Sequence, residues 1–258
     1  MTDSGRPILK ADGLAKSFAG LQALQDFSLS IAPGEIVGLI GPNGAGKTTC
    51  FNVLTGFLLP TAGSISFQGQ DVTGMAPAHT ARLGMARTFQ NIRLFGAMSV
   101  LENVQTAAQL QLHSRLLPTL LGLPGFHRNE ARSRQRAYAI LDLFGLTQYA
   151  DHDAGSLPYG LQRRLEVARA LATEPALLLL DEPAAGMNPT ESDDLHHLIL
   201  DLRSRFKLSI LLVEHDMRLV MNLCERIVVL NYGQIIAQGK PDDVRNDPQV
   251  IAAYLGAA

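Results

Sequence analysis

The 258 residues carry 22 Lys plus Arg against 24 Asp plus Glu, a net charge of −2, and 47% of them are hydrophobic. That suits one large domain with a sizeable core, leaves no overall basic footprint for nucleic acid, and offers no apolar run of about 18 residues that could span a bilayer. Two cysteines, Cys50 and Cys224, are too few for a disulfide framework and point to a reduced, cytosolic setting.

Residues 1–7 read as a short disordered lead without the apolar segment of a secretory signal. Strands are expected at 8–16 and 26–31, the second with Phe27, Leu29 and Ile31 alternating. After the Pro33-Gly34 turn, Ile36-Val37-Gly38-Leu39-Ile40 is a continuous apolar run that suits a strand buried on both faces. A helix is expected over 46–55, closed by Gly56, and a short strand over 64–67. Ser99 and Glu102 have capping-box spacing, which predicts a helix from there to about residue 113. Residues 116–126 are apolar but broken by Pro118, Gly122, Pro124 and Gly125. Residues 129–144 read as a helix with Ala137, Ile140, Leu141 and Phe144 on one face, closed by Gly145. Strands at 176–180, 209–213 and 226–230 alternate with helices at 189–206 and 216–224. The first of these helices has Asn188 as N-cap, Pro189 at its first position, and Leu195, Leu198, Ile199 and Leu202 on one face. A hairpin at Asn231-Tyr232-Gly233-Gln234 leads into a strand over 235–238. Strand–helix alternation implies an α/β fold with a parallel or mixed sheet wrapped by helices, and the helical middle reads as a separate lobe.

Gly41-Pro42-Asn43-Gly44-Ala45-Gly46-Lys47-Thr48-Thr49 fits the pattern G-x-x-x-x-G-K-[ST] between a buried strand and a helix. Glycines let several backbone N–H groups face one point, and a helix N-terminus adds partial positive charge there. Lys47 would reach the β- and γ-phosphates of a nucleoside triphosphate, and the Thr48 hydroxyl is placed for Mg²⁺. Asp181 ends the apolar run Leu177-Leu178-Leu179-Leu180, where a carboxylate can serve the metal. Glu182 follows directly and can polarise an attacking water, which hydrolysis needs and a small-molecule kinase does not. Gln90, after a short strand, can touch metal and water. His215, in Glu214-His215-Asp216 at another strand end, can hydrogen-bond phosphate oxygens.

Leu157-Pro158-Tyr159-Gly160-Leu161-Gln162-Arg163-Arg164-Leu165-Glu166 opens a helix with Leu161, Leu165, Ala168 and Ala172 aligned. In this order, with the phosphate cradle, Gln90, Asp181-Glu182 and His215, the chain resembles the ATP-binding subunit of ABC transporters over essentially its whole length. Residues 51–57, 87–95, 181–189, 214–217, 246–256 and the added stretch 110–128 look like the ATPase of branched-chain amino-acid importers. Relatives in that group move urea or short amides, or drive lipopolysaccharide export.

The resemblance implies a P-loop NTPase cassette with a mixed central sheet, an antiparallel β subdomain and a helical subdomain. Residues 8–90 and 160–258 would form the nucleotide-binding core and about 91–159 the helical lobe. It implies ATP and Mg²⁺, the ion held by Thr48, Gln90 and Asp181, and hydrolysis by Glu182 with His215 and Gln90. It further implies adenine stacked on Phe18 and phosphates on Gly41, Pro42, Asn43, Gly44, Ala45, Gly46, Lys47, Thr48 and Thr49. A head-to-tail pair with a second ATPase, related or identical, would bring Leu157, Pro158, Tyr159 and Gly160 onto the partner's ATP. Transmembrane permease subunits and, indirectly, a periplasmic binding protein complete the implied assembly, peripheral to the cytoplasmic face of the inner membrane. Phe89, Leu94 and Phe95 would form a groove for a helix of the membrane subunit, and Arg128, Arg132 and Arg136 a basic stripe for lipid or that subunit. Three departures stand out: Pro158 replaces the usual signature serine, Tyr159 a common glycine and Leu161 a common glutamine. Asn188 also stands where Asp is usual. A soluble non-transport ABC ATPase would be expected to carry a long coiled-coil insertion or a second cassette, neither of which appears here.

Overall fold

The centre of the molecule is built from short, largely apolar strands that are buried along their whole length. In the computed structural model, which describes residues 6–109 and 124–255, β3 (Ile36–Ile40), β7 (Leu177–Asp181) and β8 (Ser209–Val213) are buried at each position. They lie in a six-stranded sheet of order β10-β9-β3-β8-β7-β6, where β6 is Met85–Arg87, β9 is Arg226–Asn231 and β10 is Gln234–Gly239. All pairings are parallel except the β9–β10 hairpin at one edge. A second sheet is antiparallel, of order β2-β1-β4-β5, from β1 (Leu9–Phe18), β2 (Leu21–Ile31), β4 (Ala62–Phe67) and β5 (Gln70–Asp71).

Side chains on a strand alternate between faces, so the central sheet feeds two cores. Leu211 and Val213 of β8 pack with Phe27, Phe51 and Phe67 in the core shared with the antiparallel sheet. Ile210 and Leu212 point into the other core, with the helices. Around the sheets run α1 (Lys47–Leu54), α2 (Pro77–Arg82), α3 (Val100–Ala108), α4 (Pro124–Leu143), α5 (Tyr159–Leu171), α6 (Pro189–Phe206), α7 (Met217–Leu223), α8 (Pro241–Arg245) and α9 (Pro248–Leu255). Ala137, Leu141 and Phe144 are buried as the periodicity requires.

Both expected caps are present. Ser99 Oγ accepts from Glu102 N–H at 3.1 Å and Glu102 returns the bond at 2.8 Å. Asn188 and Glu191 do the same at 3.0 Å each, so Asn188 serves as the N-cap of α6. Each cap contributes about 1 kcal/mol.

Several expectations need correction. β2 begins at Leu21, five residues before the expected start, because the Ala19-Gly20 turn folds it back on β1 as a long hairpin with Phe18 paired to Leu21. Helix α4 begins at Pro124, where a missing N–H costs nothing in a first turn. Helix α3 ends at Ala108 with Gln109 as its C-cap, and residues 110–113 of its expected span lie outside the described residues. So do residues 1–5 of the expected lead and most of the 110–128 stretch, including the side chain of Arg128. Pro158 is the N-cap of α5. Of the remaining basic stripe, Arg136 is tied to Glu174 at 3.1 Å. Both thiols are free and buried, and burial pushes both up, Cys224 to about 12.

Candidate active site

The turn between β3 and α1 has a shape that only glycine permits at two points. Gly46, the residue before α1, has φ 106°, and a Cβ there would lie 2.6 Å from the Ala23 carbonyl oxygen. At Gly41, φ 153°, it would lie 2.0 Å from the Leu230 oxygen. No side chain caps α1, so the N–H groups of its first turn face outward with the positive end of the helix dipole. Lys47 is 7% exposed and curls over the loop, donating to Gly41 O at 2.6 Å and Pro42 O at 3.0 Å. An ammonium has three donors, which leaves one for a phosphate oxygen. Burial pulls the Lys47 ammonium below the usual lysine range, while Glu182 and Asp181 pull the other way.

This loop opens on a cleft of about 740 Å³. Phe18, Asn43, Gly44, Ala45, Gly46, Lys47, Thr48, Thr49, Gln90, Glu182 and His215 all line it. Phe18 is 42% exposed, with the Lys16 ammonium 5.1 Å from its ring centre. Gly41 and Pro42 do not line the cleft but hold Lys47 through their carbonyls. Leu157, Pro158, Tyr159 and Gly160 are not among the lining residues and stand at the start of α5 instead.

Three of the expected residues meet at the end of the cleft. Gln90 Nε2 donates to Glu182 Oε2 at 3.0 Å, and His215 Nε2 lies 2.7 Å from Glu182 Oε1. Glu182 takes φ +49°, a left-handed conformation that costs a non-glycine residue roughly 1–2 kcal/mol. Such strain belongs where a side chain must be aimed. Asp181 lies below, 3% exposed, with Oδ2 bound by Arg87 Nη2 at 2.9 Å. Arg87 also donates to Asn52 Oδ1 at 2.7 Å and stacks 4.9 Å from the Phe89 ring. β6, α1 and the end of β7 are thereby fastened together.

Four participants are not apparent from the sequence. Arg87 is one. Tyr232, 80% exposed at the β9–β10 turn with φ +45°, is a second aromatic on the cleft wall. The same turn braces the phosphate loop, since Gly233 N–H donates to Ala45 O at 2.8 Å. The other two are Arg163 and Glu166 of α5. Arg163 is 0% exposed, paired with Glu166 Oε2 at 2.7 Å, and donates to Phe89 O and Gln90 O at 2.7 Å each. Glu166 Oε1 accepts from Phe89 and Arg93 N–H at 3.3 Å each. This pair staples the Gln90 segment to the helix that Leu157–Gly160 opens. The only signal in sequence is i, i+3 spacing. Glu166→Ala leaves a buried guanidinium without its counter-charge, so we expect a loss of about 3–5 kcal/mol, on the order of 10 °C in Tm by calorimetry.

Residues 24–185 match the ABC transporter family, and residues 234–258 match the branched-chain amino acid ATP-binding cassette transporters. The chain is 48% identical to the high-affinity branched-chain amino acid transport ATP-binding protein LivG of Escherichia coli (strain K12), over 98% of this chain and 99% of that one. It is 47% identical, over the same shares, to the corresponding protein BraF of Pseudomonas aeruginosa. Among solved structures it resembles the ADP conformation of an ATP-binding cassette of an ABC transporter, at 32% identity and a TM-score of 0.83, over 97% of this chain and 99% of that one.

Proposed function

The chain belongs to the ABC transporter ATP-binding family, and from that premise we propose that it powers the import of branched-chain amino acids through membrane subunits it docks against. It is an ATPase, with the cassette fold of its relatives. The observation that carries the site assignment is the convergence of Gln90 and His215 on the two oxygens of Glu182, at the mouth of the Lys47 loop. Similarity along nearly the whole length to LivG, including the C-terminal match, supports the cargo.

In this scheme Phe18 stacks on adenine, and Lys47 with the first-turn amides of α1 grips the phosphates. Glu182 orients a water and takes its proton as the water oxygen attacks the γ-phosphorus. The bond from that phosphorus to the β–γ bridging oxygen then breaks. His215 turns from Glu182 to a γ-phosphate oxygen. The oxygen donors of Thr48, Gln90 and Asp181 are the hard ligands Mg²⁺ prefers, and those residues would hold it. When bound, the ion neutralises phosphate charge. Helices α3 and α4 would belong to the helical lobe of the working unit.

ATP would close a head-to-tail pair, with Leu157, Pro158, Tyr159 and Gly160 over the partner's nucleotide, and hydrolysis would open it. The partner is a related ATPase or a second copy. Among the described residues no helix is long and apolar enough to cross a membrane, and the chain works peripherally on separate permease subunits. Phe57, Phe89 and Phe95 line a cavity of about 480 Å³ between α2, α3 and α5 that suits a short helix of those subunits, whereas Leu94 packs against the core.

Pro158 has no hydroxyl to offer the γ-phosphate, so a site completed by this chain is weaker than one completed by a partner that carries the serine. Pro158→Ser raises ATPase activity of the assembled transporter about two- to tenfold, the worth of one hydrogen bond. An unchanged or lower rate would remove that idea. The function itself is tested by reconstituting the chain with its membrane subunits and binding protein in vesicles. ATP-driven uptake of leucine, isoleucine or valine is expected. Uptake of urea or short amides instead, or extraction of lipopolysaccharide, would overturn the cargo assignment.

A further inference from the structure

Behind Glu182 lies a second cavity, of about 330 Å³. Titratable groups face it from every side: Glu182 from the loop after β7, Asp193 and His196 from α6, His215 and Asp216 from the loop after β8, and Arg218 from α7. Against it sits Glu214, only 4% exposed. Its Oε1 accepts from Ala184 N–H at 2.8 Å and its Oε2 from His215 N–H at 3.1 Å. Burial pushes the Glu214 carboxyl above the ordinary range, against the pull of the Ala184, His215 and Asp216 amides, and the nearby Glu182 pushes it further up. A carboxylate hidden from water and paired to backbone donors on two different loops is costly to keep unless the tie matters.

The tie comes where the sheet stops helping. Strands β7 and β8 are paired in register to Asp181 and Val213, and the next rung, Glu182 N–H to Val213 O at 2.9 Å, is the last before the loops diverge. Beyond it, Glu214 spans the gap. We propose that Glu214 is a positioning residue for hydrolysis: one carboxylate clamps the loop of Glu182 to the loop of His215, so that base and phosphate sensor stay in reach of each other. The adjoining cavity gives both loops room to drift once the clamp is cut. This inference rests on the ATPase reading of the site.

The test is Glu214→Gln in the assembled transporter. The amide offers one acceptor and turns an NH₂ toward the other N–H, so one of the two links is lost at unchanged size. Turnover falls by about tenfold or more, while the KM for ATP and the Kd of a fluorescent ATP analogue stay within about twofold. A merely structural role would lower affinity along with rate. Unchanged kcat, or a fall matched by an equal loss of affinity, overturns the proposal. Should the variant not fold, amide hydrogen exchange on the unmodified chain decides: Ala184 and His215 are both protected, and exchange of either at the free-chain rate overturns it. The unmodified transporter in the same assay keeps the two ideas apart. Absence of hydrolysis there breaks the ATPase reading, whereas equal turnover in both breaks this inference alone.

Discussion

Lys47→Ala weakens ATP binding by on the order of a hundredfold, which is the worth of a charge-assisted hydrogen bond. The lysine is buried and already bent over Gly41 and Pro42, so its ammonium is oriented before any nucleotide arrives. Removing it takes away the cation on the loop side of the cleft, while Gly46 and the start of α1 keep their shape. The measurement is a titration with a fluorescent ATP analogue. Retention of full affinity would mean that the phosphates lie elsewhere.

Glu182→Gln separates binding from chemistry. Gln at 182 can still bridge Gln90 and His215, accepting from one and donating to the other, so the cluster keeps its geometry. It cannot take a proton. Removing a positioned general base costs about 10²–10⁴ in rate, and steady-state ATP turnover is expected to fall by that amount. The Kd for ATP stays within about threefold, because the phosphate loop is untouched. Equal losses in rate and affinity would indicate a disrupted cleft rather than a missing base.

Residues whose chemistry depends on close spacing are legible in the sequence. The phosphate loop occupies Gly41 to Thr49 without interruption, and the Asp181-Glu182 pair ends one apolar strand. Helix starts at Ser99 and Asn188 are equally plain, since a cap and its partner are three residues apart. The participants that the sequence hides act across long separations. Arg87 reaches Asp181 over 94 positions, and Arg163 reaches Gln90 over 73. No periodicity encodes such a pairing. Alternation of strands and helices announces a mixed sheet, but the separation into two sheets comes only through family resemblance, because β1, β2 and β4 show no pattern that assigns them a layer. Helix α2 is silent in the sequence because its six residues are too few for a period to register. Along the chain Glu214 is merely a neighbour of His215. Its burial, and its bond to Ala184 thirty positions away, exist only in three dimensions.

Single-turnover hydrolysis of saturating ATP by the assembled transporter, followed by rapid quench, isolates the chemical step from nucleotide binding and product release. With Glu182→Gln, bound ATP persists and phosphate forms at least about a hundredfold more slowly than with the unmodified chain. Phosphate formed at the unmodified rate would contradict the assignment of Glu182 as the residue that directs water onto the triphosphate.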